Sequence, residues 1–223
     1  TDTRVDLPET DAINSAIETG ENVLVTGPAG VGKSGVLAER YHEGTEQGPV
    51  YFLDAREFGQ FDSITAIERE LGVQTSLREV FDELATQYDR CTILVDQLDN
   101  VRTEPVATIF RNLLLDLAEI DGLTVICACR GWDLEQPAYE RLAEADTYRK
   151  VTLEPLSESR VQSLLTDIGI DSAEQTQDVV ELCQSLLNLS LLADVHASED
   201  DFDMNALSSQ VALWDAYRVS LDR

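Results

Sequence analysis

The stretch Gly27–Ser34, GPAGVGKS, places three glycines, a lysine and a serine in the pattern G-x-x-x-x-G-K-[ST]. The glycines let the backbone wrap tightly, so that successive N–H groups can point inward at a phosphate group. Lys33 is placed to reach the β- and γ-phosphates of a nucleotide as a catalytic residue, and the Ser34 hydroxyl to take a Mg²⁺ coordination position. The residues predicted to contact the nucleotide are Gly27, Pro28, Ala29, Gly30, Val31, Gly32, Lys33, Ser34 and Gly35.

The segments on either side of this loop match what a phosphate-binding loop requires. The apolar run Val23–Val25 precedes it and predicts a strand, whereas the residues after it have a helical pattern. The start of that helix would add its partial positive charge to the site. Lys33 is also one of only two lysines among 16 basic residues. These features argue against the alternative, a chance match in a glycine-containing turn.

A second group of candidate residues follows the apolar run Ile93–Val95, which predicts a buried strand. Asp96, at the end of that strand, is a predicted Mg²⁺ ligand, with a turn-forming role as the alternative. Gln97 stands where many ATPases carry a glutamate that polarises the attacking water, and an amide cannot accept that proton. Asp99 is the nearest carboxylate that could accept the proton. The alternative role for Asp99 is to cap a helix or a turn. We therefore predict that Asp99 and Gln97 are catalytic.

Apolar runs alternate with helical patterns over the first two thirds of the chain. The predicted strands are Asn22–Thr26, Pro49–Asp54, Thr92–Asp96, Leu123–Cys129 and Tyr148–Leu153. The predicted helices between them are Gly32–His42, Asp62–Leu71, Leu77–Tyr88 and Glu104–Ile120. Near-continuous hydrophobicity, as in TVICAC, is typical of strands buried on both faces of a parallel sheet. With right-handed crossovers, this alternation predicts an α/β fold with a doubly wound open sheet.

The strand patterns stop after Pro155, and the remaining segments have helical spacing. The predicted helices are Ser157–Ile168, Glu174–Leu182, Leu186–Val195 and Met204–Ser220, with Ser157 as an N-cap. We therefore predict a nucleotide-binding domain over residues 1–154 and an all-helical domain over residues 155–223. Because the sequence starts with Thr1 rather than Met, we expect it to be part of a longer chain.

The charge of the chain restricts its partners. There are 43 acidic and 16 basic residues, which gives a formal net charge of −27. Such a surface repels nucleic acids and anionic membranes, so neither is expected as a direct partner. Scattered acidic residues and few lysines are typical of proteins from salt-accumulating halophiles, and we expect a halophilic source. Without an apolar stretch long enough for a membrane span or a signal-peptide pattern, the expected location is cytoplasmic.

Four motifs, taken in order, resemble those of the STAND class of P-loop ATPases, the signal-transduction ATPases with numerous domains. These motifs are GPAGVGKS, LVDQLDN, VICACRGWDL and VTLEPLSESRVQSLLTDIGI, and they are most similar to prokaryotic members with a DQLD-type second motif. The resemblance runs from about Val5 to Val195. It implies a five-stranded sheet of order 5-1-4-3-2 followed by a helical lid. It also implies ATP/ADP switching that controls self-association and signalling of the full-length protein, often in antiviral defence or transcription.

The resemblance assigns further site residues by position. Arg130, after the fourth predicted strand, corresponds to the arginine that senses the γ-phosphate, the alternative being a surface arginine paired with a carboxylate. Pro155 lies at the hinge where the lid begins, close to the adenine, and Leu7–Pro8 would cover the other side of the base. The segment 182–192 falls where the family has a proline-containing motif, but this chain has no proline there.

Two other functions stay open at this point. One is an AAA+ ATPase that acts as a loader or remodeller, which shares the sheet and the helical lid. The other is a nucleotide-binding scaffold with negligible hydrolysis, which Gln97 would favour. A GTPase is disfavoured because the chain has no N-K-x-D motif for guanine. Since a partner's arginine often completes such sites, we expect the chain alone to be a weak ATPase that uses ATP or ADP with Mg²⁺.

Overall fold

The computed structural model describes residues 5, 7–44, 48–101, 104–135, 137, 139–198, 207 and 209–221. The strands are β1 (Asn22–Thr26), β2 (Val50–Asp54), β3 (Cys91–Asp96), β4 (Leu123–Ala128) and β5 (Tyr148–Thr152). The helices are α1 (Pro8–Thr19), α2 (Lys33–Glu43), α3 (Ile64–Glu70), α4 (Leu77–Tyr88), α5 (Glu104–Leu117), α6 (Glu140–Glu144), α7 (Glu158–Asp167), α8 (Gln177–Leu182), α9 (Leu186–Ser198) and α10 (Gln210–Leu221). Short 3-10 turns, including Leu98–Asn100, connect several of them.

The five strands form one sheet of order β2-β3-β4-β1-β5, in which every neighbouring pair is parallel. This is the predicted order 5-1-4-3-2 viewed from the other edge, and the predicted α/β fold is confirmed. Because parallel strands end at the same edge of a sheet, the segments that follow β1, β3 and β4 meet there. That edge therefore receives Lys33, the residues Asp96–Asp99 and Arg130.

The sheet is held by a core on its central strands. Every residue of β3 and β4 is buried, as expected for apolar strands covered by helices on both faces. Helix α5 contributes Phe110, Leu114 and Leu117, whose side chains are completely buried. The hydroxyl of Tyr148 on β5 donates to the carbonyl of Leu114 over 2.7 Å and satisfies its own buried polar group. The strand ends that carry the candidate residues are thus anchored by packed elements.

The described chain divides into two compact units at Leu153 and Glu154, with one exception. Residues 28–32, in the middle of the predicted phosphate loop, group with the second unit rather than with the sheet. The second unit is otherwise helical, and its core includes Val161, Leu192 and Leu213, all completely buried. Among the described residues, no helix is both long and apolar enough to cross a membrane.

A buried asparagine links three parts of the second unit. Asn188, on α9, donates to the carbonyl of Leu182 over 2.9 Å and accepts from the Gln210 amide over 3.1 Å. Its side chain is only 6% exposed, so both contacts satisfy groups that water does not reach. Helices α8, α9 and α10 are therefore joined by polar contacts as well as by apolar packing.

The sequence predicted all five strands to within two residues of their ends. It also predicted α4 with both ends correct and the N-cap Ser157, whose hydroxyl accepts from the Arg160 N–H. The helix predicted to start at Asp62 starts at Ile64, because the Ser63 side chain caps it. The helix predicted over Glu104–Ile120 ends at Leu117.

Two predicted helices in the second unit start later than expected. One helix was predicted to begin at Glu174, but this residue is the last of a 3-10 turn, and α8 begins at Gln177. Of the helix predicted over Met204–Ser220, residues 204–206 and 208 lie outside the described part of the chain, and α10 begins at Gln210. The sequence did not predict α6, which has only five residues.

Candidate functional site

The loop between β1 and α2 has the backbone conformation that its glycines predict. Gly27, Gly30 and Gly32 have φ values of 141°, 80° and 105°, in the region that other residues rarely adopt. Pro28 and Ala29 are exposed, whereas Val31 is buried and anchors the loop. Helix α2 begins at Lys33, so the N–H groups of its first turn follow directly on the loop. Gly35 is exposed within that first turn.

Lys33 stands among charged groups at the edge of the first unit. Its ammonium group donates to the Gly27 carbonyl over 2.8 Å. Burial lowers the pKa of Lys33 below its usual 10.5, the Asp99 carboxylate opposes this shift, and Arg130 adds to it. A phosphate beside the amine would favour its charged form and raise this pKa again. The site is therefore electrostatically suited to an added anion.

Gln97 connects the end of β3 to the start of α2. Its backbone N–H donates to the Asp96 carboxylate over 2.7 Å, and its side-chain amide donates to the Ser34 hydroxyl oxygen over 2.9 Å. The amide oxygen of Gln97 accepts in turn from the Asn100 side chain. Asp96 is buried, with 5% of its surface exposed. The two predicted metal ligands, Ser34 and Asp96, are thus linked through one residue.

Asp99 and Arg130, for which the sequence predicted separate roles, form an ion pair with each other. The Arg130 Nε lies 2.7 Å from an Asp99 carboxylate oxygen. Asp99 is 6% exposed and lies on the 3-10 turn Leu98–Asn100, whereas Arg130 follows β4 and is 29% exposed. A charged pair in which one member is buried depends on its partner, because removing either leaves a poorly solvated charge. Asp99 therefore holds Arg130 at the strand edge.

The donor groups at this edge fit Mg²⁺. The Ser34 hydroxyl and the Asp96 carboxylate supply hard oxygen donors, and the Ser34 oxygen has a lone pair left beside the bond from Gln97. In the described part of the chain, no cluster of three or more His, Cys, Asp or Glu side chains has the arrangement of a metal site. One hydroxyl and one carboxylate suit a cation that takes its other ligands from water and phosphate, as Mg²⁺ commonly does.

Eight of the fourteen predicted site residues lie in the first unit: Gly27, Lys33, Ser34, Gly35, Asp96, Gln97, Asp99 and Arg130. The loop residues 28–32 and Pro155 belong to the second unit. There Pro155 is exposed, and the neighbouring Leu156 N–H donates to the Gln184 carbonyl over 2.9 Å. Leu7 is buried at the start of α1, directly before Pro8.

Two residues with structural contacts to the motifs were missed from the sequence. Asn100 contacts Gln97 but is an exposed turn asparagine, a residue type that is common in turns for other reasons. Ser185 lies in the second unit, and its hydroxyl donates to the Gly30 carbonyl over 3.3 Å. The Leu187 N–H donates to the same carbonyl over 3.1 Å. The one signal in the sequence for this region was that segment 182–192 falls where the STAND family has a proline-containing motif.

Solved structures of known ATPases support the observed fold and sheet order. The Walker-type ATPase PABY2304 of Pyrococcus abyssi matches with a TM-score of 0.59 and 15% identity, over 96% of this chain and 70% of its own. The Orc1 protein of Aeropyrum pernix, solved in complex with DNA, matches with a TM-score of 0.51 and 16% identity. That match covers 96% of this chain but only 64% of the Orc1 chain. At such identities the similarity shows the P-loop NTPase fold.

No protein-family model matches this chain, and no curated protein sequence matches it either.

Replacing Lys33 tests whether the loop binds phosphate. We expect Lys33→Ala to weaken ADP binding by roughly 1.5–3 kcal/mol, or about 10- to 100-fold, because a charge-assisted contact to the phosphates is lost. Isothermal titration calorimetry measures this change directly. Lys150→Ala is the matched control, since Lys150 is the other lysine and is exposed on β5. An unchanged ADP affinity in Lys33→Ala would contradict the site assignment.

Proposed function

We propose that this chain is the ATP-binding and slowly hydrolysing switch module of a larger signalling or defence protein of the STAND type. In this proposal, residues 1–154 form the nucleotide-binding domain and residues 155–223 the helical lid. The exchange of ADP for ATP controls self-association of the full-length protein. Similarity to the Walker-type ATPase of Pyrococcus abyssi supports the ATPase part of the proposal.

The observation that carries the switch role is the pair of hydrogen bonds accepted by the Gly30 carbonyl. One comes from the Ser185 hydroxyl and the other from the Leu187 N–H, in the first turn of α9. Gly30 belongs to the loop that would surround the phosphates, and residues 28–32 of this loop group with the helices of the second unit. A ligand that favours one arrangement of this loop thereby favours one arrangement of the helices attached to it.

Nucleotide binding follows from the groups at the strand edge. Lys33 and the N–H groups of the loop hold the phosphates, while Ser34 and Asp96 hold Mg²⁺. A bound Mg²⁺ would offset the negative charge that develops during phosphoryl transfer. Gln97 keeps the Ser34 oxygen oriented through the 2.9 Å hydrogen bond from its amide.

Slow hydrolysis follows from the pairing of Asp99 with Arg130. We propose that Asp99 polarises or deprotonates the attacking water and that Arg130 recognises the γ-phosphate. In the 2.7 Å ion pair, the guanidinium occupies a carboxylate oxygen that a water molecule would otherwise contact. Efficient turnover therefore requires Arg130 to shift toward the nucleotide and release Asp99.

Substitutions in the DQLD segment test this division of roles. We expect Asp99→Asn to lower ATP turnover by ~10²–10⁴-fold, the scale of general-base catalysis, while ADP affinity stays nearly unchanged. Gln97→Ala is expected to keep much of its activity at saturating Mg²⁺, because an amide is not the proton acceptor. Phosphate release gives the turnover, and calorimetry gives the affinity. Asp116→Asn, at an exposed position of α5, is the control for the change of charge.

Unimpaired hydrolysis in both Asp99→Asn and Gln97→Ala would contradict these assignments. Gln97→Glu separates the two candidates further. A large rise in turnover would mean that Gln97 restrains an ordinary glutamate-type site, contrary to the proposed role of Asp99. Wild-type turnover at background level, with ADP and ATP still bound, would favour the nucleotide-binding scaffold instead.

The contact at Gly30 provides a separate test of the switch. We expect ATP and ADP to change amide hydrogen exchange differently in α9, and Ser185→Ala to reduce this difference because one of two bonds to Gly30 is lost. A single hydrogen bond of about 1 kcal/mol corresponds to roughly a fivefold change in exchange protection. Ser190→Ala, an exposed serine on the same helix, is the matched control. Identical exchange of α9 with ATP and ADP in the wild type would exclude the proposed coupling.

A second candidate function is an AAA+ loader or remodeller, which the similarity to the Orc1 protein favours. The Orc1 structure was solved with DNA, but this chain has a net charge of −27. Phosphate contacts supply most of the affinity of nonspecific DNA binding, and an acidic surface opposes them. We therefore rank this function second, and place any remodelling activity on a target other than nucleic acid.

A further inference from the structure

A buried tyrosine hydroxyl contacts the turn that carries Asp99. Tyr139 is 3% exposed, and its hydroxyl donates to the carbonyl of Leu98 over 3.0 Å. Leu98 directly precedes Asp99 and opens the 3-10 turn Leu98–Asn100. The same carbonyl also accepts from the Val101 N–H over 3.1 Å, which closes the turn. Tyr139 therefore bonds to the backbone group on which this turn depends.

The position of the tyrosine is set by the core of the first unit. Its backbone carbonyl accepts from the N–H groups of Leu142 and Ala143, both over 2.9 Å, at the start of α6. Leu142 is completely buried, and Tyr139 belongs to the same core cluster as Phe110 of α5. Burial raises the pKa of Tyr139, so its hydroxyl keeps its proton and remains a donor even in alkaline solution. The hydrogen bond thus runs from a fixed ring to a turn of three residues.

Tyr139 links two strand ends of the candidate site. The turn that begins at Leu98 follows β3, whereas Tyr139 lies beyond Arg130 in the segment between β4 and β5. The ion pair of Asp99 with Arg130 joins the same two segments. The two contacts differ in what they hold, because the ion pair holds the Asp99 carboxylate and the tyrosine holds the backbone that carries it.

Only one of these contacts is compatible with turnover under the proposed function. There, Arg130 leaves Asp99 for the γ-phosphate, and the carboxylate loses its charged partner. A general base must nevertheless stay within hydrogen-bond reach of the water that it activates, about 2.6–3.2 Å. The bond from Tyr139 involves neither charged side chain, so it can persist while the ion pair is open.

We propose that Tyr139 is a positioning residue, whose hydroxyl fixes the Leu98 carbonyl and so keeps Asp99 in place for the attacking water after Arg130 has left it. This inference rests on the proposed function, and Tyr139 lies outside all four sequence motifs. Because it is buried, Tyr139 acts through the turn rather than on the nucleotide. It therefore controls the rate of hydrolysis and not the affinity for ADP.

Two substitutions that each remove one buried hydroxyl test this role. We expect Tyr139→Phe to lower kcat for ATP hydrolysis about five- to tenfold, the scale of one hydrogen bond, with KM and ADP affinity unchanged. The Leu98 carbonyl keeps its bond from Val101, so no buried acceptor is left unsatisfied. Tyr148→Phe is the matched control, because that hydroxyl is also buried and donates over 2.7 Å to a backbone carbonyl. Tyr148 is the first residue of β5, at the opposite edge of the sheet from the site.

Amide hydrogen exchange gives a readout that does not depend on turnover. We expect faster exchange at Val101 in Tyr139→Phe than in the wild type or in Tyr148→Phe, because the turn opens more readily. A lower kcat at unchanged ADP affinity, together with this faster exchange, supports the proposal. Unchanged kcat or unchanged Val101 exchange in Tyr139→Phe overturns it, as does an equal loss of kcat in Tyr148→Phe. Absence of ATP hydrolysis in the wild type would instead contradict the proposed function, and the exchange at Val101 would still show whether Tyr139 holds the turn.

Discussion

The parallel arrangement of the strands is the constraint on which the site depends. Because all neighbouring strands run in the same direction, the loop after β1, the segment after β3 and the arginine after β4 reach one edge of the sheet. The bond from Gln97 to Ser34 and the ion pair between Asp99 and Arg130 connect these strand ends. An antiparallel β3 would have moved Asp96, Gln97 and Asp99 to the opposite edge of the sheet.

The charges at this edge are compatible with the anion and the cation of the proposed site. Lys33 and Arg130 formally offset Asp96 and Asp99, so the group is near neutral within a chain of net charge −27. Burial lowers the pKa of Lys33, which means that its charge is incompletely compensated by the groups around it. A nucleotide brings several negative charges to this neutral group, and a divalent cation held by Ser34 and Asp96 would balance them.

Much of this organisation was predictable from the sequence, for identifiable reasons. Glycines at positive φ are a local requirement of the loop, and a buried strand that ends in a carboxylate is a local pattern. Residue type and spacing were therefore enough to propose Lys33, Ser34 and Asp96 as site residues. The partners of side chains were not predictable in the same way. Asp99 and Arg130 belong to different strand ends, and no periodicity indicates that they pair.

The contact between Ser185 and Gly30 joins residues that are 155 positions apart, which local sequence patterns cannot reveal. Asn100 was missed for a different reason, since an exposed asparagine in a turn needs no functional explanation. Helix α6 was missed because five residues are too few for a hydrophobic period to emerge. For Asp99, Arg130 and Ser185, the missing information concerns tertiary contacts rather than residue type.

The most direct test of the central claim is calorimetric titration of the unmodified chain with ADP, ATP and GTP, with Mg²⁺ or with EDTA. The titration belongs in concentrated KCl, which screens repulsion among the many carboxylates. The account predicts that ADP and ATP bind, that Mg²⁺ strengthens their binding, and that GTP binds much more weakly. Absence of binding by both adenine nucleotides in the presence of Mg²⁺ would contradict it.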